Sequence, residues 1–169
     1  MKLYLSSYRL GNNSDEFKRL VSGQKRIGVI RNALDFSDDR KRHEEGWAQE
    51  FSDLTSLGFS PQAVDLREYF DGKNDLRATV NQLDGLWVAG GNTFILNSAF
   101  RRSGLDKIVV EHLANETFVY AGYSAGICVL APTLEGIHLA DNPEVIPQGY
   151  SKAVIWNGIG LLPFCIAPH

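Results

Sequence analysis

The sequence lacks the features that mark several classes of protein. It has two cysteines, Cys128 and Cys165, which form no CxxC pair. Two cysteines are too few for a disulfide framework, so we expect a reducing cytoplasm. No apolar run approaches the roughly 20 residues that cross a bilayer. The opening segment MKLYLSSYRLGNN also lacks the apolar core and cleavage site of a secretory signal, so no membrane partner is expected.

An excess of charge of one sign is also missing. There are 17 basic and 20 acidic residues, which gives a net charge of −3. The densest basic cluster, residues 40–42, has acidic residues on both sides and is typical of a solvated helix face. Binding to nucleic acid needs a basic stripe, which this sequence does not have. We therefore expect no nucleic-acid partner.

Motifs for metals and nucleotide cofactors are absent as well. The sequence has no HExxH and no paired Cys/His spacing of the kind that holds zinc. It also has no GxGxxG and no Walker loop, which are the glycine-rich motifs that hold nucleotide phosphates. We therefore expect no cofactor and predict no metal site.

The composition is that of a soluble globular protein. With 169 residues, 44% hydrophobic and 22% charged, the chain is the size of one domain, 1–169. Short apolar runs alternate with amphipathic segments, which predicts an α/β fold: a three-layer sandwich with a mostly parallel central sheet. The predicted strands are 2–6, 26–30, 62–66, 85–89, 117–121 and 161–166. The predicted helices are 13–20, one from about residue 37 to Gly58, 75–83, 93–102 and 105–115.

Residues 122–126 (GYSAG) match the pattern G-x-S-x-G. They follow a predicted strand and precede an apolar segment that can begin a helix, which is the context of a nucleophile elbow. A sharp strand-to-helix turn would expose the hydroxyl of Ser124, and the flanking glycines would avoid Cβ clashes. The backbone N–H of Ala125 could then stabilise an oxyanion. The alternative is a tight turn with a surface serine.

A second glycine-rich segment, residues 90–93 (GGNT), ends the preceding strand. Ligands bind at the carboxyl ends of strands in parallel sheets, so this loop is expected beside the elbow. Gly90 or Gly91 could then supply a second oxyanion donor. The segment also fits a turn in which Asn92 or Thr93 caps a helix, and both interpretations can hold together.

A serine nucleophile needs a base and an acid that orients it. His169 follows the predicted strand 161–166 and is the preferred base, although it is also the last residue. His43 and His112 are expected on solvated helix faces, and His138 lies in a polar loop. Candidate acids between Ser124 and His169 are Glu135, Asp141 and Glu144. Of the cysteines, Cys128 is expected in the core and Cys165 buried along the last strand.

Taken together, these motifs resemble those of peptidase E, the aspartyl dipeptidase family of serine peptidases (family S51), which is related to cyanophycinase. The resemblance rests on residues 90–94 (GGNTF), 122–126 (GYSAG), Pro132-Thr133 and Pro163-Phe164 leading to Pro168-His169, in this order. It implies a fold similar to the class I glutamine amidotransferases (flavodoxin-like). It also implies a cytoplasmic enzyme that removes N-terminal aspartate from small Asp-X peptides without metal or cofactor.

Carried over by residue, the resemblance assigns Ser124 as nucleophile and His169 as base. It assigns the N–H groups of Gly91 and Ala125 to the oxyanion hole, and matches Asp141 to an acidic residue of the family. Gly90, Asn92 and Thr93 would contact the substrate. The family's glutamate of the triad and its substrate-binding arginine lie beyond the counterpart of His169, so no residue here is assigned to either role.

Three functions remain open from the sequence. The first is a serine dipeptidase for Asp-X, in which Ser124 forms an acyl-enzyme intermediate. The second is a shortened, catalytically impaired homologue that acts as a binding or regulatory protein. The third is a cyanophycinase-like hydrolase of β-linked aspartyl polymers. The expected partner is a small peptide substrate, and a homodimer is a candidate assembly that the sequence itself does not show.

Overall fold

Five short strands form one parallel sheet in the protein. The structure is a computed structural model and describes residues 1–168. Its strands are β1 (Lys2–Ser6), β2 (Arg26–Ile30), β3 (Ser60–Ala63), β4 (Gly85–Val88) and β5 (Val119–Tyr123). The helices are α1 (Ser14–Leu20), α2 (Arg40–Ser56), α3 (Leu76–Val80), α4 (Thr93–Ser103), α5 (Leu105–Glu111) and α6 (Ala125–Cys128). Short 3₁₀ turns cover Asn32–Leu34, Leu66–Tyr69, His112–Ala114 and Ile137–Leu139.

The strand order is β1-β5-β4-β2-β3, and every neighbouring pair is parallel. In the register, Ser6 is opposite Tyr123, and Gly122 and Ile30 are both opposite Val88. The segments that follow β1, β2, β4 and β5 therefore leave the sheet at one edge, here called the carboxyl edge. This arrangement brings loops from distant parts of the sequence together.

Apolar side chains cover both faces of the sheet, because alternate residues of a strand point to opposite sides. One face packs Leu86, Val88 and Tyr120 against residues of α3, α4 and α5. The other face packs Trp87 and Ala121 against residues of α1 and α2. The predicted three-layer α/β sandwich with a parallel central sheet is therefore confirmed.

The long helix α2 follows its sequence signals closely. The Asp39 side chain accepts a hydrogen bond from the Arg42 N–H and caps the first turn. Leu54 is fully buried, whereas Trp47 and Phe51 on the same stripe are half-buried. Gly58 follows the last turn at φ +83°, a left-handed conformation that favours glycine.

Two strands lie at shifted positions, and both shifts have local causes. β3 covers Ser60–Ala63 rather than 62–66, because Asp65 accepts the Arg67 N–H and begins a 3₁₀ turn. β5 covers Val119–Tyr123 rather than 117–121, because the Asn115 side chain binds the Thr117 N–H and hydroxyl. These are turns of the kind that asparagine and aspartate side chains favour over extended strands.

The predicted strand at 161–166 is wrong. In this segment Pro163 has no N–H to donate, and the backbone runs irregularly beside residues 129–131. The Ile159 N–H binds the Val129 carbonyl, and the Leu162 N–H binds that of Leu130. Cys165 is exposed rather than buried.

Among residues 1–168 no helix is long and apolar enough to span a bilayer.

Candidate active site

Ser124 occupies the turn between β5 and α6 in a strained backbone conformation. Its φ is +50° and its ψ −116°, a region that side chains other than glycine rarely adopt. The residue is half-buried and lies at the carboxyl edge of the sheet. Non-glycine residues with such backbone strain concentrate at functional sites, and the strain agrees with the predicted elbow.

The glycines on either side of Ser124 are required by close packing. A Cβ on Gly126 would stand 2.2 Å from the carbonyl oxygen of Val88, and one on Gly122 would stand 2.7 Å from it. Real Cβ atoms do not approach an oxygen so closely, so any larger residue would displace β4 or the elbow. The spacing G-x-S-x-G thus has a direct steric cause in this fold.

The loop that follows β4 lies directly against the elbow. A Cβ on Gly90 would stand 3.0 Å from the Ser124 Cβ, so these two backbones are nearly in contact. Gly91 has φ +145°, and a Cβ there would stand 2.5 Å from the Ala33 carbonyl oxygen. Glycine is therefore needed at both positions, and the predicted neighbourhood of the two loops is present.

Two backbone N–H groups of these loops have no hydrogen-bond acceptor among residues 1–168. Neither the Gly91 N–H nor the Ala125 N–H donates to another group within residues 1–168. The next residue in the glycine loop, Asn92, donates its N–H to the Ala33 carbonyl at 2.8 Å and fixes the loop. Preorganised N–H groups of this kind can stabilise the negative oxygen of a tetrahedral intermediate.

Asn92 and Thr93 hold the start of α4. The Asn92 Oδ1 accepts hydrogen bonds from the N–H groups of Phe94 and Ile95, at 2.9 and 3.2 Å. Its amide also donates to the Asn142 carbonyl at 2.8 Å. Asn92 is thus the helix cap that the sequence allowed, and substrate contacts by Gly90, Asn92 and Thr93 stay a prediction.

Asp141 lies against the same loop. Its Oδ2 accepts hydrogen bonds from the Thr93 N–H at 2.8 Å and from the Thr93 hydroxyl at 2.6 Å. The other candidate acids, Glu135 and Glu144, are exposed. Of the three acids, Asp141 is therefore the one that the fold ties to the glycine loop.

Cys128 lies one helical turn beyond Ser124 and is buried, as predicted. Burial, followed by the negative charge of Asp141, raises the pKa of its thiol to about 11. A thiol with that pKa stays protonated at neutral pH and is a poor nucleophile. Its Sγ contacts the Ile166 carbonyl at 3.5 Å, so the chain returns to the elbow side of the sheet near its end.

His169 lies outside the described residues, so its role as base stays a prediction. The other histidines are occupied elsewhere. The His43 Nε2 is 2.7 Å from the Ser37 carbonyl, His112 stacks on Phe118 at 4.2 Å, and His138 packs edge-on against Trp156. Within residues 1–168, none of these three imidazoles bonds to Ser124.

The sequence interpretation missed one buried acid near the elbow. Glu50 on α2 is 4% exposed and accepts hydrogen bonds from the Trp87 indole at 2.6 Å and the Tyr123 hydroxyl at 2.7 Å. Its burial could have been predicted, because residues 47, 50, 51 and 54 share the buried stripe of α2.

Within residues 1–168, no group of three or more His, Cys, Asp or Glu side chains could hold a metal ion.

The geometry is that of a strained nucleophile elbow facing a glycine-rich loop at the carboxyl edge of a parallel sheet. The chain belongs to peptidase family S51, whose sequence profile matches residues 11–169. The resemblance drawn from residues 90–94 and 122–126 is thereby confirmed.

Curated relatives carry peptidase names. An uncharacterised peptidase of Listeria innocua is 31% identical over 106 residues, which are 63% of this chain and 48% of that protein. Peptidase E of Streptomyces coelicolor is 35% identical over 106 residues, 63% of this chain and 40% of that protein. The chain thus spans about half the length of the curated relatives it matches.

A solved structure shares the fold. The crystal structure of a Listeria monocytogenes protein described as a candidate peptidase E superposes with a TM-score of 0.75 and 24% identity. The match covers 98% of this chain and 77% of that chain. At this level of identity the likeness shows the fold alone, and it supports the predicted flavodoxin-like arrangement.

Proposed function

We propose that this chain carries the acylation site of a serine peptidase that cleaves dipeptides with N-terminal aspartate. The observation that carries the proposal is Ser124, strained at φ +50° in a turn that packs against the glycine loop at Gly90. Membership of family S51 supports a hydrolase of peptide bonds. The aspartate specificity rests on the resemblance to peptidase E.

In the first half of the reaction the Ser124 Oγ attacks the carbonyl carbon of the peptide bond. The hydroxyl proton passes to the base, for which His169 is the candidate, and the carbonyl oxygen becomes an oxyanion between the Gly91 and Ala125 N–H groups. The carbon–nitrogen bond then breaks. The proton returns from the base to the leaving amine, and an aspartyl ester remains on Ser124.

In the second half a water molecule attacks this ester. The base takes one proton from the water, the carbon–Oγ bond breaks, and the serine recovers its proton as aspartate leaves. A neighbouring acid is needed to hold the base in its productive orientation. Asp141 is the candidate for that role, because it is fixed beside the glycine loop through Thr93.

Hydrolysis of Asp-Leu tests the proposal. It should be measured on this chain and on a version extended past His169, with Ser124→Ala as the matched control and β-Asp-Arg as the competing substrate. We expect cleavage of Asp-Leu that is lost in Ser124→Ala. Preferred cleavage of β-Asp-Arg would instead favour a cyanophycinase-like hydrolase. Failure of both folded forms to cleave either substrate would favour a binding protein.

A further inference from the structure

The buried carboxylate of Glu50 joins two aromatic residues of the sheet to helix α2. One carboxylate oxygen accepts from the Trp87 indole N–H and the other from the Tyr123 hydroxyl, at 2.6 and 2.7 Å. Glu50 is 4% exposed, so these donors replace the water that a carboxylate would otherwise bind. A buried acid with two short, charge-assisted hydrogen bonds holds both partners in fixed positions.

Two arginines balance the charge of this acid without pairing with it. The guanidinium of Arg31 is buried, donates to the His43 carbonyl at 2.9 Å and stacks over Trp47. Burial lowers the pKa of Arg31, whereas the negative charge of Glu50 acts to raise it. Arg9, which is ion-paired with Asp53, is also within electrostatic reach of Glu50. Arg31 and Arg9 therefore place positive charge near Glu50, although neither guanidinium is its hydrogen-bond partner.

Tyr123 carries the effect of Glu50 to the elbow. It directly precedes Ser124, and a Cβ on Gly90 would stand 2.9 Å from its Cε2 atom. Burial and then the charge of Glu50 raise the pKa of its phenol, and the Gly90 N–H acts in the opposite direction. The Tyr123 ring thus packs against the glycine loop, while the Tyr123 backbone continues into the strained turn at Ser124.

We infer that Glu50 is a positioning residue for the nucleophile, acting through Tyr123 on the distance between Ser124 and the glycine loop. The inference rests on the proposed function, since it needs Ser124 to react. An apolar side chain at position 50 would fill the space at a smaller desolvation penalty, but it would not fix the Tyr123 hydroxyl. If Glu50 only stabilised the fold, its substitution would lower stability without changing the reactivity of Ser124. The experiment must therefore distinguish an effect on stability from an effect on reactivity.

The probe is a fluorophosphonate, which forms a bond from its phosphorus to the Ser124 Oγ with loss of fluoride and of the hydroxyl proton. The maximal labelling rate constant, kinact, and the half-saturating concentration, KI, should be measured on the whole chain below its melting temperature. The variants are Glu50→Gln and Tyr123→Phe, alone and combined. The matched control is Asp53→Asn, because Asp53 lies one turn further on α2 and binds Arg9 and Gln49 instead of the elbow.

We expect Glu50→Gln and Tyr123→Phe each to lower kinact by about tenfold with KI within about twofold, because small displacements of a nucleophile have large effects on rate. The double variant should lose no more than either single variant, since both act through one hydrogen bond. Asp53→Asn should lower the melting temperature and leave kinact unchanged.

Labelling rates of folded Glu50→Gln and Tyr123→Phe that equal the rate of the unmodified chain would overturn the inference and leave the proposed function intact. Absence of labelling in the unmodified chain would overturn both. If Glu50→Gln fails to fold, Tyr123→Phe decides, because the phenyl ring keeps its packing on Gly90 and only the hydroxyl is lost.

Discussion

Gly90 and Ser124 lie so close that the two loops of the candidate site behave as one unit. A Cβ on Gly90 would stand 3.0 Å from the Cβ of Ser124 and 2.9 Å from the Tyr123 ring. These two residues are 34 positions apart in the sequence but follow neighbouring strands, β4 and β5. The parallel register of those strands therefore builds the site.

The first prediction concerns this contact. In Gly90→Ala the new methyl group must push the glycine loop away from Ser124, which moves the Gly91 N–H out of reach of an oxyanion. We expect fluorophosphonate labelling to slow by about tenfold or more. As a control, Gly104→Ala strains a helix end at φ +79° where a Cβ meets nothing within 4 Å. Gly104→Ala should lower stability and leave labelling unchanged; equal slowing in both variants would contradict the prediction.

The second prediction concerns the strain at Ser124. Ser124→Gly removes the Cβ that opposes φ +50° and should raise the free energy of unfolding by about 1 kcal/mol while abolishing activity. Ser124→Ala also abolishes activity but keeps the Cβ, so no such gain is expected. Urea unfolding of the two variants measures the difference. Equal stabilities of Ser124→Gly and Ser124→Ala would mean that the turn is unstrained.

The third prediction separates two roles of Asp141. Asp141→Asn and Thr93→Val each weaken the contact between the acid and the glycine loop, so each should lower the free energy of unfolding by about 1 kcal/mol. If Asp141 also orients the base, Asp141→Asn should slow Asp-Leu hydrolysis by orders of magnitude, whereas Thr93→Val should slow it only by a small factor. Equal, small losses in both variants would restrict Asp141 to the anchoring role.

The fourth prediction concerns pH and stability. The Asp35 side chain is 6% exposed, and its burial raises its pKa above 3.8 although Tyr150 and Asn32 donate hydrogen bonds to it. The stability that Asp35 contributes is therefore fully present below about pH 3.8 and is lost as the pH rises through the higher folded-state pKa. Asp35→Asn has no proton to lose. Its free energy of unfolding, relative to the unmodified chain, should rise over that interval.

Urea unfolding between about pH 3 and about pH 7 measures this difference. Tyr150→Phe is the control: it removes a hydrogen bond that lowers the pKa of Asp35, so it should extend the loss of stability to higher pH. A difference between Asp35→Asn and the unmodified chain that stays flat, or falls as pH rises, would contradict the prediction.

Much of the fold could be predicted because local signals agree with the final structure. β1 and β2 lie where their apolar runs predict, and Asp39 and Gly58 bound helix α2 as cap and end. The strand order could not be predicted, since it depends on which faces pack together. The prediction of a strand at 161–166 was wrong because this apolar segment runs irregularly beside residues 129–131.

Residues of the candidate site that belong to short sequence motifs could be predicted, whereas residues outside such motifs could not. Residues 90–93 and 122–126 carry glycines whose positions have steric causes, so the sequence identifies both loops. Glu50 has no motif around it and lies in a highly charged helix. The signal that could identify it is an acid within an apolar stripe, which requires a buried partner.

Whether Ser124 is an activated nucleophile can be measured by mass spectrometry of the folded chain after treatment with a fluorophosphonate. We expect one adduct per chain, located by peptide mapping at Ser124, absent from Ser124→Ala and absent when the chain is unfolded in urea before treatment. A folded chain that gains no adduct, or a Ser124→Ala variant that is labelled as fast as the unmodified chain, would contradict this expectation.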